Sequence, residues 1–269
     1  SALKDLNNMI GLETVKSQVK KIIASATMRR NRGQAMPALH MIFSGNAGTG
    51  KTTVAETVAK ALFENGVISS SKVVKATKKD LVAQYVGQTA AQTQAVIERA
   101  YGGVLFIDEA YTLTSDSSTT GFEAEAIGEL IAQMENHRDD LIVILAGYTN
   151  EMKMFMASNQ GLNSRFKTWI EFPDYDAKDL TKIAIKQLSA NGVKVYKSDA
   201  TNLLKLMQYF VKHDMNDGNG RFARNFTDML VENRDVRMFD GSVIDKLTAD
   251  DYNLALASVR RRYNSIGKG

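Results

Sequence analysis

Five short runs, LHMIFSG, KVVKAT, GVLFIDEA, LIVILAG and TWIEF, are apolar, rich in Val, Ile and Phe, and separated by stretches with helical periodicity. This alternation constrains the fold more than any other feature of the chain. Uninterrupted apolar runs of this length suit strands buried on both faces of a parallel sheet, and parallel neighbours need long crossovers, usually helices. In TTVAETVAKALFENG, the residues Val54, Val58, Ala61 and Leu62 fall on one helical face and Gly66 supplies a stop. QTQAVIERAYGG and FEAEAIGELIAQMEN read the same way, and a helix is expected over 13–26. Residues 1–173 are therefore expected to form an α/β domain, a parallel sheet sandwiched by helices with right-handed crossovers.

The texture changes after Pro173, near FPDYD. AKDLTKIAIKQLSANG, DATNLLKLMQYFVKHD, GRFARNFTDMLVENRDVRM and TADDYNLALASVRRRY are four helical patterns with no convincing strand between them. A small all-α domain over 174–269 is expected. SDSSTTG (115–121) is the one loop-like, low-complexity run.

Between the first strand and the first helix lies Gly45-Asn46-Ala47-Gly48-Thr49-Gly50-Lys51-Thr52, which satisfies G-x-x-x-x-G-K-[ST]. A strand before and a helix after are what phosphate binding requires: glycines let backbone amides curl around a phosphate, and the helix N-terminus adds its positive end. Asn46, Ala47, Gly48, Thr49, Gly50, Lys51, Thr52 and Thr53 are the expected nucleotide-binding set. Lys51 would bridge β- and γ-phosphates of ATP, and the Thr52 hydroxyl would take a place on Mg²⁺. Val104-Leu105-Phe106-Ile107-Asp108-Glu109 reads as a buried strand whose two acids emerge at its C-terminal edge, where α/β sheets bind ligands. Asp108 would hold the metal shell, and Glu109 would polarise an attacking water. A small-molecule kinase has less need of that second acid, so the pair favours ATP hydrolysis.

GNAGTGKTT, GGVLFIDEAYTL, MENHRDDLIVILAGY and GLNSRF, in this order, resemble the AAA+ ATPases. Within them the chain is most similar to the group containing red-type Rubisco activases, the stage V sporulation protein K family and type VII secretion ATPases. The resemblance implies a P-loop NTPase sheet domain followed by a helical lid, and assembly into a homo-oligomeric, hexameric ring. It implies that Ile10 and Gly11 lie against adenine, that Arg165 is an arginine finger reaching a neighbouring subunit's site, and that Arg221 is the lid's sensor arginine, with Arg224 one turn away. The first sensor of the family, an Asn or Thr beyond the fourth strand, falls among Tyr148, Thr149 and Asn150, with Thr149 preferred. Tyr85-Val86-Gly87, after the second strand, fits the aromatic–hydrophobic–Gly loop that projects into the pore of ring motors, where tyrosines grip an extended chain by stacking and apolar contact. The loop 114–122 would be a second pore-facing element.

The expected function is an ATP-driven remodelling motor acting on a protein client that the sequence does not identify. The alternative is a nucleotide-dependent clamp on nucleic acid, using the basic clusters Arg29-Arg30-Asn31-Arg32 and Arg260-Arg261-Arg262-Tyr263. Both clusters end amphipathic runs, where a helix C-terminus favours cations, so solvated helix ends are preferred over a nucleic-acid surface. A net charge of +4 adds little to either reading. Cysteine is absent, and His40, His137 and His213 lack ligand-like spacing, which leaves them as packing or surface residues. Asp214-Met215-Asn216-Asp217-Gly218 resembles the opening of a calcium loop, but its spacing is wrong and the closing Glu is missing; it reads as a polar turn. No apolar run approaches a bilayer span and the opening residues are too polar for a signal peptide, so membrane insertion is not expected and the cytoplasm is. A chain that opens at Ser1 instead of Met is compatible with a further domain upstream.

Overall fold

The computed structural model describes residues 1–114 and 121–267. Contacts divide the chain into two units, Ser1–Asn46 with Gly50–Pro173, and Ala47–Thr49 with Asp174–Gly269. The first unit runs α1 (Ala2–Asn7), α2 (Glu13–Asn31), β1 (Met41–Gly45), α3 (Lys51–Glu64), β2 (Val73–Ala76), α4 (Lys78–Leu81), α5 (Thr89–Ala100), β3 (Val104–Ile107), α6 (Phe122–Asn136), β4 (Ile142–Gly147), α7 (Thr149–Ser158), α8 (Gln160–Asn163) and β5 (Thr168–Phe172).

The five strands form one parallel sheet in the order β2-β3-β4-β1-β5. Every residue of β1, β3 and β4 is buried, which explains their unbroken apolar runs. The edge strands β2 and β5 are partly exposed and carry the charged residues Lys75 and Glu171. Leu105, Ile107, Val143 and Leu145 pack with Ile97, Leu130, Met152 and Phe155 from the covering helices. The face of α3 expected from its periodicity, Val54, Val58, Ala61 and Leu62, is buried.

Helix α2 runs to Asn31, beyond the expected residue 26; its buried stripe of Val15, Val19, Ile23 and Ala26 ends there, and a polar last turn continues the backbone. Helix α5 begins at Thr89, ahead of the periodic window. Its start is set by tertiary contact: the buried Thr89 hydroxyl accepts from Ala83 N at 3.2 Å, and Thr93 donates to Leu81 O at 2.8 Å.

Asp174–Gly269 contributes α9 (Ala177–Ala190), α10 (Lys197–Lys212), α11 (Gly220–Phe239) and α12 (Ala249–Ser265), with no strand among the described residues. Their core holds Leu180, Leu188, Leu203, Met207, Ala223, Leu230 and Val259 around Phe210, which meets Phe222 and Phe226 edge-on at 5.2 Å each. Arg237 organises the α11–α12 connection: its guanidinium bonds both carboxylate oxygens of the buried Asp251 (3.2 and 3.0 Å) and the carbonyls of Ile244 and Lys246.

Candidate nucleotide site

The parallel run of the strands places the candidate chemistry of the first unit at one edge of the sheet. Parallel strands all end on the same side, so the loop after β1, the acids after β3 and Thr149 after β4 share the C-terminal edge. With β4 between β1 and β3, the acids stand two strands, about 10 Å, from the base of the phosphate loop.

Gly45 ends β1 with φ +148°, and a Cβ there would lie 2.4 Å from Phe172 O and 2.9 Å from Phe172 Cβ. Only glycine lets the chain leave β1 so close to β5. Gly50 is left-handed (φ 97°) and forms the N-cap of α3. Lys51 opens that helix, and its Nζ donates to Gly45 O (2.8 Å) and Asn46 O (2.7 Å), which folds the ammonium over the base of the loop. First-turn amides of a helix have no acceptor within it, and beside an ammonium they make a donor set suited to a polyphosphate. Thr52 is half-buried and Thr53 exposed in the first turn. Ala47–Thr49 group with the second unit, where Gly220 N donates to Gly48 O at 2.9 Å.

Asp108 is half-buried at the end of β3, its amide bonded to Ala76 O, and its Oδ1 accepts from Glu109 N at 2.9 Å. Glu109 is exposed and left-handed (φ 49°), a conformation that costs a non-glycine residue energy and that clusters at functional sites. The 3₁₀ turn Ala110–Leu113 and the Thr112 hydroxyl, bonded to Glu109 O at 2.6 Å, hold it there. Carboxylate and hydroxyl oxygens are the hard donors that suit Mg²⁺, so Thr52 and Asp108 fit that ion chemically. Thr149 is half-buried at the start of α7; Tyr148 and Asn150 on either side are exposed, and the Tyr148 ring lies 6.0 Å from that of Tyr111.

Arg165 stands at the opposite end of the sheet. It precedes β5, on the same level as His40 before β1. Its Nη1 donates to Gly161 O at 2.5 Å, its Nη2 lies 3.7 Å from Glu135 Oε2, and its Nε is buried with no hydrogen-bond partner among the described residues. His40, buried and accepting from Val143 N at 2.9 Å, has its pKa lowered to about 4 by desolvation and then by the Arg165 charge. Sequence reasoning missed Glu135 because an acid at the end of an amphipathic helix carries no signal of its partner.

Tyr85 and Val86 are 68% and 85% exposed in the connection between α4 and α5, beside a left-handed Gly87 (φ 79°). The base of that connection is fixed by Thr89, Thr93 and the bond from Gln92 Nε2 to Asp80 O (3.0 Å). Residues 115–120 of the second expected loop lie outside the described residues. Ile10 and Gly11 are half-buried between α1 and α2. Arg221 and Arg224 are exposed in the first turns of α11. In the basic clusters, Arg260 bonds Tyr209 OH (3.1 and 2.9 Å) and Arg29 reaches Ala35 O (3.5 Å).

Residues 41–174 match the ATPase family associated with various cellular activities (AAA), and residues 176–258 match an AAA lid domain. A protein CfxQ homolog of Galdieria sulphuraria is 40% identical over 87% of this chain and 78% of its own length. The chain belongs to the AAA ATPases. This ATPase is also 39% identical to protein CfxQ of Xanthobacter flavus, over 88% of the chain and 77% of that protein. It is 40% identical to ESX-1 secretion system protein EccA1 of Mycolicibacterium smegmatis, over 98% of the chain but 50% of EccA1, so it spans about half of that relative. A Thermotoga maritima RuvB mutant shares the fold, with a TM-score of 0.66 at 20% identity over 96% of the chain and 72% of that structure. No helix among the described residues is long and apolar enough to cross a membrane.

Proposed function

We propose that this ATPase works as a ring of identical subunits that grips an extended segment of a protein client and remodels it at the expense of ATP. The observation that carries the reading is the Tyr85–Val86 pair: two large apolar side chains held out to solvent on a connection whose base is fixed by three side-chain hydrogen bonds. Large exposed side chains on an anchored loop suit a contact that is made and broken repeatedly. The route from the nucleotide to that loop is short. Asp108 N bonds Ala76 O, and Ala76 leads through the Thr77–Asp80 capping box into α4 and the loop.

In this reading the phosphate loop and Lys51 hold the polyphosphate, Thr52 and Asp108 hold Mg²⁺, Glu109 takes a proton from the attacking water, and Thr149 orients that water. Mg²⁺ supplies charge neutralisation on the phosphates when bound. The opposite placement of Arg165 and the phosphate loop supports its service to a neighbouring copy. A hexameric ring, a cytoplasmic setting and a protein client are part of the proposal.

Tyr85→Ala tests the proposal. Its basal turnover, ATP affinity and assembly should match the parent, while stimulation of turnover by an unfolded polypeptide such as casein should be lost. Undiminished stimulation, or its loss only on charge reversal at Arg260–Arg262, would instead favour the clamp on nucleic acid.

A further inference from the structure

Lys16 stands in the first turn of α2, where a helix dipole favours anions, as the neighbouring Glu13 illustrates. What its side chain reaches explains a cation there. Its Nζ donates to Met9 O at 2.5 Å and Asn7 O at 3.3 Å, and pairs with Glu13 Oε1 at 3.3 Å. The side chain is only 11% exposed. Asn7 closes α1, whose terminal carbonyls carry the negative end of that helix. The lysine is thus misplaced for its own helix and well placed for the preceding one.

Between the two helices the chain is strained. Gly11 and Leu12 are both left-handed, with φ of 63° and 58°. Glycine adopts that region without cost, whereas the Cβ of leucine crowds the backbone. Leu12 is held in place because its side chain is 6% exposed in the core, and Lys16 ties down the carbonyls on the other side of the turn.

We propose that Lys16 is a positioning residue for the nucleotide base: it clamps the Met9–Leu12 turn in its strained shape and so presents Ile10 and Gly11 preformed to adenine. The inference rests on the reading of Ile10–Gly11 as the adenine segment. Without the clamp, relaxed conformers of the turn compete, and the nucleotide binds only the competent fraction. Release of the left-handed penalty at Leu12 alone would cut that fraction about five- to thirtyfold.

The test compares Lys16→Met with the parent 269-residue chain by calorimetry, using ATP and inorganic tripolyphosphate as probes, with amide exchange of residues 9–13 followed in parallel. Tripolyphosphate keeps the phosphate chain and lacks the base. The expected result is ATP affinity weakened about five- to thirtyfold, tripolyphosphate affinity unchanged and faster exchange in the turn. Equal weakening for both probes would mean a general structural defect and would overturn the proposal, as would unchanged ATP affinity. Ile10→Asp, measured alongside, separates the two layers. If it weakens ATP but not tripolyphosphate while Lys16→Met does neither, the adenine reading stands and the clamp fails. If Ile10→Asp also spares ATP, the adenine reading itself is lost, and the clamp with it.

Discussion

Two inactive variants of this ATPase should restore activity to one another. The β1–β5 register pairs Met41 with Thr168 and Gly45 with Phe172. The two ends of this strand pair are four residue steps, about 13 Å, apart. Arg165 lies beyond one end and the phosphate loop beyond the other, a separation that an arginine side chain does not bridge within one chain. Arg165→Ala removes a charge worth about 10³–10⁵ in turnover when it acts as a finger, and Glu109→Gln removes a base worth about 10²–10⁴. Each variant alone is then nearly inactive. In a co-assembled 1:1 mixture, half the subunits keep Glu109, and half of those face a neighbour that keeps Arg165. About one quarter of the sites are then complete, if neighbours are placed at random around a head-to-tail ring. The assay is steady-state phosphate release, with co-assembly checked by capture through an affinity tag on one variant. Recovery near a quarter of parental activity is expected. A co-assembled mixture no more active than its parts would refute the trans site, and so would near-parental turnover by Arg165→Ala alone.

Two other perturbations test the framework that carries the site. Gly45→Ala puts a Cβ 2.4 Å from Phe172 O, so the β1–β5 pair must shift. A loss of about 1–3 kcal/mol is expected in urea denaturation, and an unchanged midpoint would contradict the close approach. Acid should act through His40. Its pKa is about 4 in the fold against 6.5 for the free side chain, so the unfolded chain binds the proton more readily. The stability conferred by neutral His40 is complete above pH 6.5 and is lost as pH falls towards 4, by about 1.4 kcal/mol per pH unit within that window. His40→Asn should flatten the profile over the same range; an unaltered slope would remove His40 as its source.

The sequence alone determined the elements that depend on local pattern. Apolar runs marked the strands, unbroken in β1, β3 and β4 because a strand buried on both faces has no polar side to display and interrupted by Lys75 and Glu171 at the edges, and the four helices after Pro173 were legible from their period. The phosphate loop and the acid pair could be found for a related reason: their chemistry is carried by consecutive residues at a strand end. Elements with weak patterns, such as α7 and α8, and the start of α5 at Thr89, were not legible, because the bond from Ala83 N to the Thr89 hydroxyl and the burial of Met152, Phe155 and Leu162 in the core define them.

Only the tertiary structure decided which strands lie side by side. The order β2-β3-β4-β1-β5 sets β4 between β1 and β3, so the acids stand two strands from the phosphate loop, and strand order follows from long-range packing that no local window contains. Glu109 likewise looks ordinary in the sequence; its left-handed backbone arises from the turn that follows it. Lys16 shows the same limit in one side chain. In the sequence it is a cation at the wrong end of a helix, and only the fold, by bringing the carbonyls of Asn7 and Met9 within its reach, gives it a reason to be there.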